Sequence, residues 1–337
     1  MDEDESGIPL DIRVKYSTTP SRNSPQHGFM TSDHSNSTAL TIGLFDGVHR
    51  GHAALVSRAR EAVGPDGRVV AMTFDPPPAQ VLGRSQDERL LTSLERRIEL
   101  LKATGADAVQ VLHADTALLA LSPEAFIDAH IAPLQPGVIV EGPDFRFGAR
   151  RAGDLQLLRS ACEQVEVVDP VLGTLADGGQ VEVRSGLLRW LIAAGRVAEV
   201  IPLAGRPHRI TGTVVKGMQR GRDLGVPTAN LDAVDACIPM DGVYGAVGIM
   251  PDGSSRAAAV SIGTNPTFGD TQRTVETHLL GHDGSLDDYG WTLSIDLRHF
   301  IREQITCDSL ESLKALIAHD LDIVRTRHAQ GEYALAP

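Results

Sequence analysis

Gly43-Leu44-Phe45-Asp46-Gly47-Val48-His49-Arg50-Gly51-His52 joins an apolar run over 39–44 to a stretch with helical periodicity. Its glycines stand where a strand must turn into a helix and where the backbone must approach a ligand closely. His49 and His52 are three residues apart, a spacing that puts both imidazoles on one face of the first helical turn. Free N–H groups and the macrodipole at a helix N-terminus favour phosphate. Two imidazoles there can donate hydrogen bonds to an α-phosphate as negative charge builds on it. Capping and packing alone would explain most histidine pairs. The glycine turn, the strand before it and the spacing together favour nucleotide chemistry. Zinc is disfavoured, because no third ligand stands nearby in sequence.

Around this decapeptide the pattern alternates. Short apolar runs come at 39–44, 68–73, 107–112, 137–141 and 165–168, with helical stretches between them. Leu94, Ile98 and Leu101 share one helical face, and Gly105 stands where a C-cap would. Ser122-Pro123-Glu124 reads as an N-cap followed by proline at the first helical position. Such alternation predicts βαβ units and a Rossmann-like α/β domain over 39–200, a mostly parallel sheet with ligands at its carboxyl ends. The character changes near Gly205. Segments at 209–215, 242–249, 255–262, 274–280 and 291–297 read as strands, with Pro251-Asp252-Gly253 a turn, and predict a small antiparallel β-barrel over 205–330. A terminal helix follows, with Leu310, Leu313, Ile317, Leu321 and Val324 on one side and Asp308 or Ser309 as its cap. Residues 1–38 include eleven Ser or Thr and no sustained periodicity, so they read as a disordered extension.

The 337 residues suit about two domains. A hydrophobic share of 42% with 22% charged residues is that of a globular chain, and no window nears the roughly eighteen apolar residues of a membrane helix. Thirty-one basic against forty-four acidic side chains leave a net charge of −13, which argues against general binding of nucleic acid or an anionic membrane. Cys162, Cys237 and Cys307 form no C-x-x-C pair and read as buried thiols in a reducing compartment. The acidic start, Met1-Asp2-Glu3-Asp4-Glu5, is unlike a secretory signal, and the expected location is cytoplasmic.

A second chemical motif spans 217–230. In Gly217-Met218-Gln219-Arg220-Gly221-Arg222-Asp223-Leu224-Gly225-Val226-Pro227-Thr228-Ala229-Asn230, Gly217, Gly221 and Gly225 let backbone N–H groups turn toward an anion, and Arg220 and Arg222 add charge. It is not a Walker loop. Thr228 and Asn230 are neutral oxygen donors two residues apart, which in an extended segment point the same way and suit Mg²⁺. Downstream, Val275-Glu276-Thr277-His278 alternates so that Glu276 and His278 share a polar face.

Taken together the motifs resemble the bacterial bifunctional riboflavin kinase/FMN adenylyltransferase family, or FAD synthetases, over most of 39–330. The segment His49-Arg50-Gly51-His52 is similar to the nucleotidylyltransferase signature. Thr73-Phe74-Asp75-Pro76, Glu141-Gly142-Pro143-Asp144-Phe145-Arg146-Phe147-Gly148 and Gly153-Asp154 follow in family order. The stretch 217–230 is similar to the riboflavin kinase signature, continued by Gly242-Val243-Tyr244, Gly263-Thr264-Asn265-Pro266-Thr267-Phe268 and the Glu276 strand.

The resemblance implies that His49 and His52 contact ATP phosphates within a nucleotide site that includes Gly43, Phe45, Asp46, Gly51, Ser185 and Arg189. It also implies that Asp75, Asp144 and Phe145 lie toward the flavin. In the kinase half it implies phosphate binding by Gly217, Gly221 and Arg222, magnesium at Thr228 and Asn230, Glu276 as the base for the riboflavin 5′-hydroxyl, and Arg302 near the flavin. Expected substrates are riboflavin, FMN and ATP. From the residues alone, Phe145 and Phe147 either stack on a flat ring or fill a core, and Arg302 is equally a surface arginine.

Two departures stand out. Pro77 replaces a histidine of the family pattern, and Arg184-Ser185-Gly186-Leu187-Leu188-Arg189 lacks the usual threonine and one basic residue at Gly186 and Leu187. Three readings therefore stand at this point: a bifunctional enzyme, a riboflavin kinase carrying a degenerate transferase module, and a non-catalytic flavin-binding regulator.

Overall fold

The computed structural model describes residues 37–84, 89–232, 234–264, 273–282 and 288–333. The extension read over 1–38 lies outside them apart from Ser37 and Thr38, as does the Asn265-Pro266-Thr267 part of the second motif. By packing, the chain divides into two compact units, Met1–Asp87 with Leu94–Pro170, and Glu88–Ser93 with Val171–Pro337.

The first unit contains β1 (Thr38–Ile42), α1 (Arg50–Val63), β2 (Arg68–Asp75), α2 (Leu94–Ala103), β3 (Ala108–His113), β4 (Val138–Glu141) and β5 (Gln164–Val167). All five strands expected from the apolar runs are present. They form one parallel sheet in the order β3-β2-β1-β4-β5. Successive residues of β1 serve opposite layers: Ala39 packs with Val56, Ala59 and Leu101, while Leu40 and Ile42 pack with Phe126, Ile131 and Phe147. Burial on both faces is why these strands read as unbroken apolar runs. The order reverses between β1 and β4, and the crevice at such a reversal is where open α/β sheets bind ligands. Ser122 does cap Pro123–Phe126, its hydroxyl accepting from Ala125 N at 3.2 Å.

The second unit opens with a hairpin of β6 (Leu172–Thr174) and β7 (Gln180–Glu182), then α3 (Ser185–Ala193) and α4 (Val197–Ala204). The stretch 171–204 continues the strand-and-helix alternation in sequence yet packs with the barrel. The reason is visible in its apolar faces. Leu188, Leu191, Ile192, Val200 and Leu203 cluster with Val183, and Val197 enters the barrel core. The barrel is closed and antiparallel, built from β8 (His208–Val215), β9 (Ala229–Asp232), β10 (Gly242–Ile249), β11 (Ser255–Gly263), β12 (Thr274–Leu279) and β13 (Thr292–Arg302), in the order β10-β11-β12-β9-β8-β13. Closure removes the exposed edges that an open sheet of this size would carry. The long helix α5 (Leu310–Ala329) is capped by Ser309, which accepts from Ser312 N at 3.1 Å. Its Val324 packs against Val247 and Ala257. Leu310, expected on the apolar face, is exposed at the first position of the helix. Among the cysteines only Cys162 is buried; Cys237 and Cys307 are partly exposed, and none of the three is in a disulfide.

Candidate active sites

In the first unit the decapeptide follows β1 as expected. Gly43 N donates to Met72 O at 3.0 Å, carrying the β1–β2 ladder into the loop. A Cβ at Gly43 would meet the Phe45 ring at 3.2 Å, so the glycine lets that ring fold back over the backbone. Phe45 and Val48 adopt φ of 53° and 33°. For a bulky and a β-branched residue these are strained values, of the kind that collects at functional sites. His49 is the N-cap of α1, one residue before the helix, and His52 lies in its first turn. Their rings stack at 3.7 Å between centroids, and Phe45 meets His52 edge-on at 5.2 Å. His49 and Asp46 are buried. The expected group of Gly43, Phe45, Asp46, His49, Gly51 and His52 is thus one contiguous structure at the carboxyl end of β1.

Asp75 ends β2 with its side chain 36% exposed, and the Asp75–Pro76 peptide is cis. Asp144 is exposed and Phe145 half-buried in the loop after β4. Of the two phenylalanines there, Phe147 fills the core, with Phe145 stacked on it at 5.7 Å. Asp154 caps the next helical turn, accepting from Leu157 N at 3.0 Å. Ser185 and Arg189 lie on α3 in the second unit, where Gly186 is exposed and Leu187 packs against the α3–α4 cluster. An apolar side chain at 187 therefore serves packing.

Two buried polar residues under the first site were not singled out from sequence. Thr73 donates to Leu44 O at 3.0 Å, and Arg97, fully buried, donates to the same carbonyl at 2.9 Å. Glu141 is the third such group. It is 2% exposed and accepts from Ile42 N at 2.5 Å, beyond the last backbone pairs of the β1–β4 ladder, Ala39 with Val138 and Leu40 with Ile139.

Burial pushes the Glu141 carboxyl well above the usual carboxylate range, outweighing the Ile42 N–H that favours the charged form. A folded-state pKa above the unfolded one means the native state binds the extra proton. Stability from this group is complete below the ordinary value of 4.5 and is lost as pH rises toward the folded value. Glu141→Gln keeps an acceptor for Ile42 N and cannot ionise. Melting temperatures across that window should fall with pH in the wild type and fall less in the variant; parallel curves would refute the assignment.

The second site lies on the outer face of the barrel. Asn230, Glu276 and Ser261 are direct cross-strand partners on β9, β12 and β11, so their side chains share one face. Val275, Thr277 and Leu279 point inward and are buried, while Glu276 and His278 point out, the alternation expected. Thr228 and Thr274 each donate to Glu276, at 3.3 Å to Oε2 and Oε1 respectively. His278 donates from Nδ1 to Pro227 O at 2.8 Å, pinning the segment that carries Thr228. A Cβ at Gly217 would fall 2.1 Å from Asn230 Nδ2, so a larger residue there would displace the Asn230 side chain. The loop is drawn together by Val226 N donating to Gly221 O at 2.7 Å.

These groups face a cavity of about 700 Å³ that is also lined by Arg302, Gln304 and, from α5, Leu313, Ile317 and Asp320. Arg302 is not a loose surface group. Its Nε and Nη2 donate to Asp320 at 3.0 and 2.7 Å, a fork that fastens β13 to α5 at the cavity wall. Arg222 borders a smaller adjoining pocket together with Gly217, Thr228 and Asn230. Oxygens from Thr228 and Asn230 beside one carboxylate form a hard donor set, which fits a divalent cation that keeps waters and phosphate oxygens as its other ligands. Among the described residues no group of three or more His, Cys, Asp or Glu is placed to hold a metal. No helix among them is long and apolar enough to cross a membrane.

Comparison with known proteins finds relatives for both halves of the chain. Residues 31–182 match the FAD synthetase family and residues 204–328 the riboflavin kinase family. The bifunctional riboflavin kinase/FMN adenylyltransferase of Escherichia coli K12 is 36% identical over 288 residues, covering 83% of this chain and 90% of that protein. Its counterpart from Listeria monocytogenes is 33% identical over 298 residues, covering 87% and 93%, and that from Bacillus subtilis 30% over 295, covering 84% and 90%. A crystal structure from Streptococcus pneumoniae, described as a macrolide-efflux protein, superposes with a TM-score of 0.76 at 27% identity, covering 86% of this chain and 94% of that one. The α/β unit with its stacked histidines, the barrel with its Thr228–Asn230–Glu276 face, and these relatives agree: the chain belongs to the bifunctional riboflavin kinase/FMN adenylyltransferase family.

Proposed function

We propose that the chain makes FAD from riboflavin in two ATP-dependent steps, each on its own unit. The barrel phosphorylates the riboflavin 5′-hydroxyl, and the α/β unit transfers AMP from a second ATP to FMN, releasing pyrophosphate. The observation that carries this reading is the Glu276 carboxylate, aimed by two hydroxyls and facing a cavity of about 700 Å³ beside Thr228 and Asn230.

In the kinase step Glu276 takes the proton from the 5′-hydroxyl as that oxygen attacks the γ-phosphate. Gly217, Gly221 and Arg222 hold the phosphates; Thr228 and Asn230 would hold Mg²⁺, which would supply positive charge against the phosphoryl oxygens. Arg302, fixed by Asp320, borders the flavin. In the second step His49 and His52 hold the α-phosphate at the N-terminus of α1 within the pocket of Gly43, Phe45, Asp46 and Gly51. Asp75, Asp144 and Phe145 border the acceptor FMN. Three cysteines kept as thiols support a cytoplasmic setting.

The purified chain incubated with riboflavin, ATP and magnesium should give FMN and then FAD on chromatographic separation. Absence of FMN removes the proposal, and FMN without FAD removes its second half.

The second reading, a kinase with an idle α/β unit, draws on Gly186 and Leu187. A Cβ at Gly186 would meet nothing within 4 Å, so Gly186→Thr is sterically free. One charge-assisted hydrogen bond to phosphate is worth roughly 1.5–3 kcal/mol, or about tenfold to a hundredfold. The variant should release pyrophosphate from FMN and ATP faster, by up to about tenfold once imperfect alignment is allowed for. If neither wild type nor variant releases any, the idle-unit reading stands.

A further inference from the structure

Arg97 lies on α2 between Leu94 and Leu101, within the buried stripe of that helix, and is itself 0% exposed. Its Nη1 donates to Leu44 O at 2.9 Å and to Phe74 O at 3.2 Å. Leu44 follows β1 and Phe74 is the penultimate residue of the adjacent parallel strand β2, so one planar group ties the β1–α1 loop to the end of β2. Nη2 stands 3.8 Å from Asp75 Oδ1, and Nε and Nη2 make no hydrogen bond. Burial pushes the guanidinium pKa down, while Asp46, Asp75 and Glu95 pull it up.

A buried, incompletely bonded cation is an inefficient way to stabilise a fold, since apolar side chains of similar volume do as well or better. Its placement answers a different need. Directly after Leu44 the chain takes the left-handed turn at Phe45 and, three residues on, that at Val48, before reaching His49. Such conformations persist only where surrounding bonds over-determine them. The Leu44 carbonyl, held by both Arg97 and Thr73, is the fixed point from which that strained turn departs.

We propose that Arg97 is a positioning residue for AMP transfer, fixing the β1–α1 loop against the end of β2 so that His49 and His52 keep one distance from Asp75. The proposal rests on the AMP-transfer reading above. In that reading the histidines hold the donor nucleotide and Asp75 borders the acceptor, so Arg97 governs the alignment of two bound substrates and not the binding of either. A misplacement of about 1 Å between reacting groups lowers rate by about a hundredfold.

The test uses full-length Arg97→Met and Arg97→Lys, each checked for folding by its thermal transition and by FMN formation from riboflavin in the same preparation. With FMN and ATP, Arg97→Met should lower kcat for pyrophosphate release about a hundredfold while KM for both substrates stays within about threefold. Arg97→Lys, which keeps the charge and loses the fork, should recover about a tenth of wild-type kcat. An unchanged kcat, or a loss that only follows the unfolded fraction, would overturn the proposal. Should wild type itself release no pyrophosphate, the AMP-transfer reading fails independently. Amide exchange over 43–49 then decides the clamp: faster exchange in Arg97→Met supports it, and unchanged protection refutes it.

Discussion

Glu276→Gln should abolish FMN formation while leaving the cavity intact. Glutamine is isosteric, so its side-chain oxygen still accepts from Thr228 or Thr274, both now 3.3 Å from the carboxylate. The cross-strand position beside Asn230 is also unchanged. What the amide cannot do is take a proton from the attacking hydroxyl. A general base contributes about 10² to 10⁴-fold, and the loss should fall on kcat, because the base acts in the transition state and not in ground-state binding. Measured from riboflavin, kcat should drop at least about a hundredfold with KM for riboflavin within about threefold. Supplied FMN and ATP should still yield pyrophosphate at the wild-type rate, since Glu276 belongs to the barrel unit. Retention of more than about a tenth of kcat would show that another group, or water, takes the proton.

Much of this arrangement is legible in the sequence, for reasons that separate what was found from what was missed. The five parallel strands announce themselves because each is buried on two faces, and a doubly buried strand admits only apolar residues. Barrel strands such as β12 announce themselves by alternation. β9 did not, because Ala229–Asp232 is four residues long with one polar side chain in the site and one in solvent, so neither pattern reaches a useful length. The β6–β7 hairpin, with three residues in each strand, is silent for the same reason. The placement of 171–204 with the barrel is a packing outcome that no local pattern encodes, decided by where Val197 and Leu203 find apolar partners.

Arg97 is a different kind of omission. A face of Leu94, Ile98 and Leu101 also contains position 97, three residues after the first and four before the last. A charge inside such a stripe is rarely buried unless something binds it, and the conflict was there to be read. Asp320 is the same case, buried one position before Leu321 on α5 and held by Arg302. In both, a charge interrupting an apolar stripe marks the support of a site, which is where local consistency is expected to break.

His52→Ala should stop AMP transfer and spare the kinase. The ring is one of two that stack 3.7 Å apart at the start of α1, and it is braced edge-on by Phe45. On the proposed reading alanine removes a hydrogen-bond donor to the α-phosphate, and it also removes the surface against which His49 stacks. Loss of one preorganised donor lowers rate by about 10² to 10³-fold, and loosening the second imidazole adds to that. Pyrophosphate release from FMN and ATP should therefore fall at least about a hundredfold, with FMN formation from riboflavin unchanged. His52→Asn, which keeps an N–H donor but not the ring, should recover part of the rate if donation dominates and almost none if the stack does. A small effect of alanine on pyrophosphate release would mean that α1 binds nucleotide through its backbone alone, since free N–H groups and the macrodipole persist in the variant. Complete insensitivity, alongside sensitivity of FMN formation to Glu276→Gln, would return the α/β unit to the role of a scaffold.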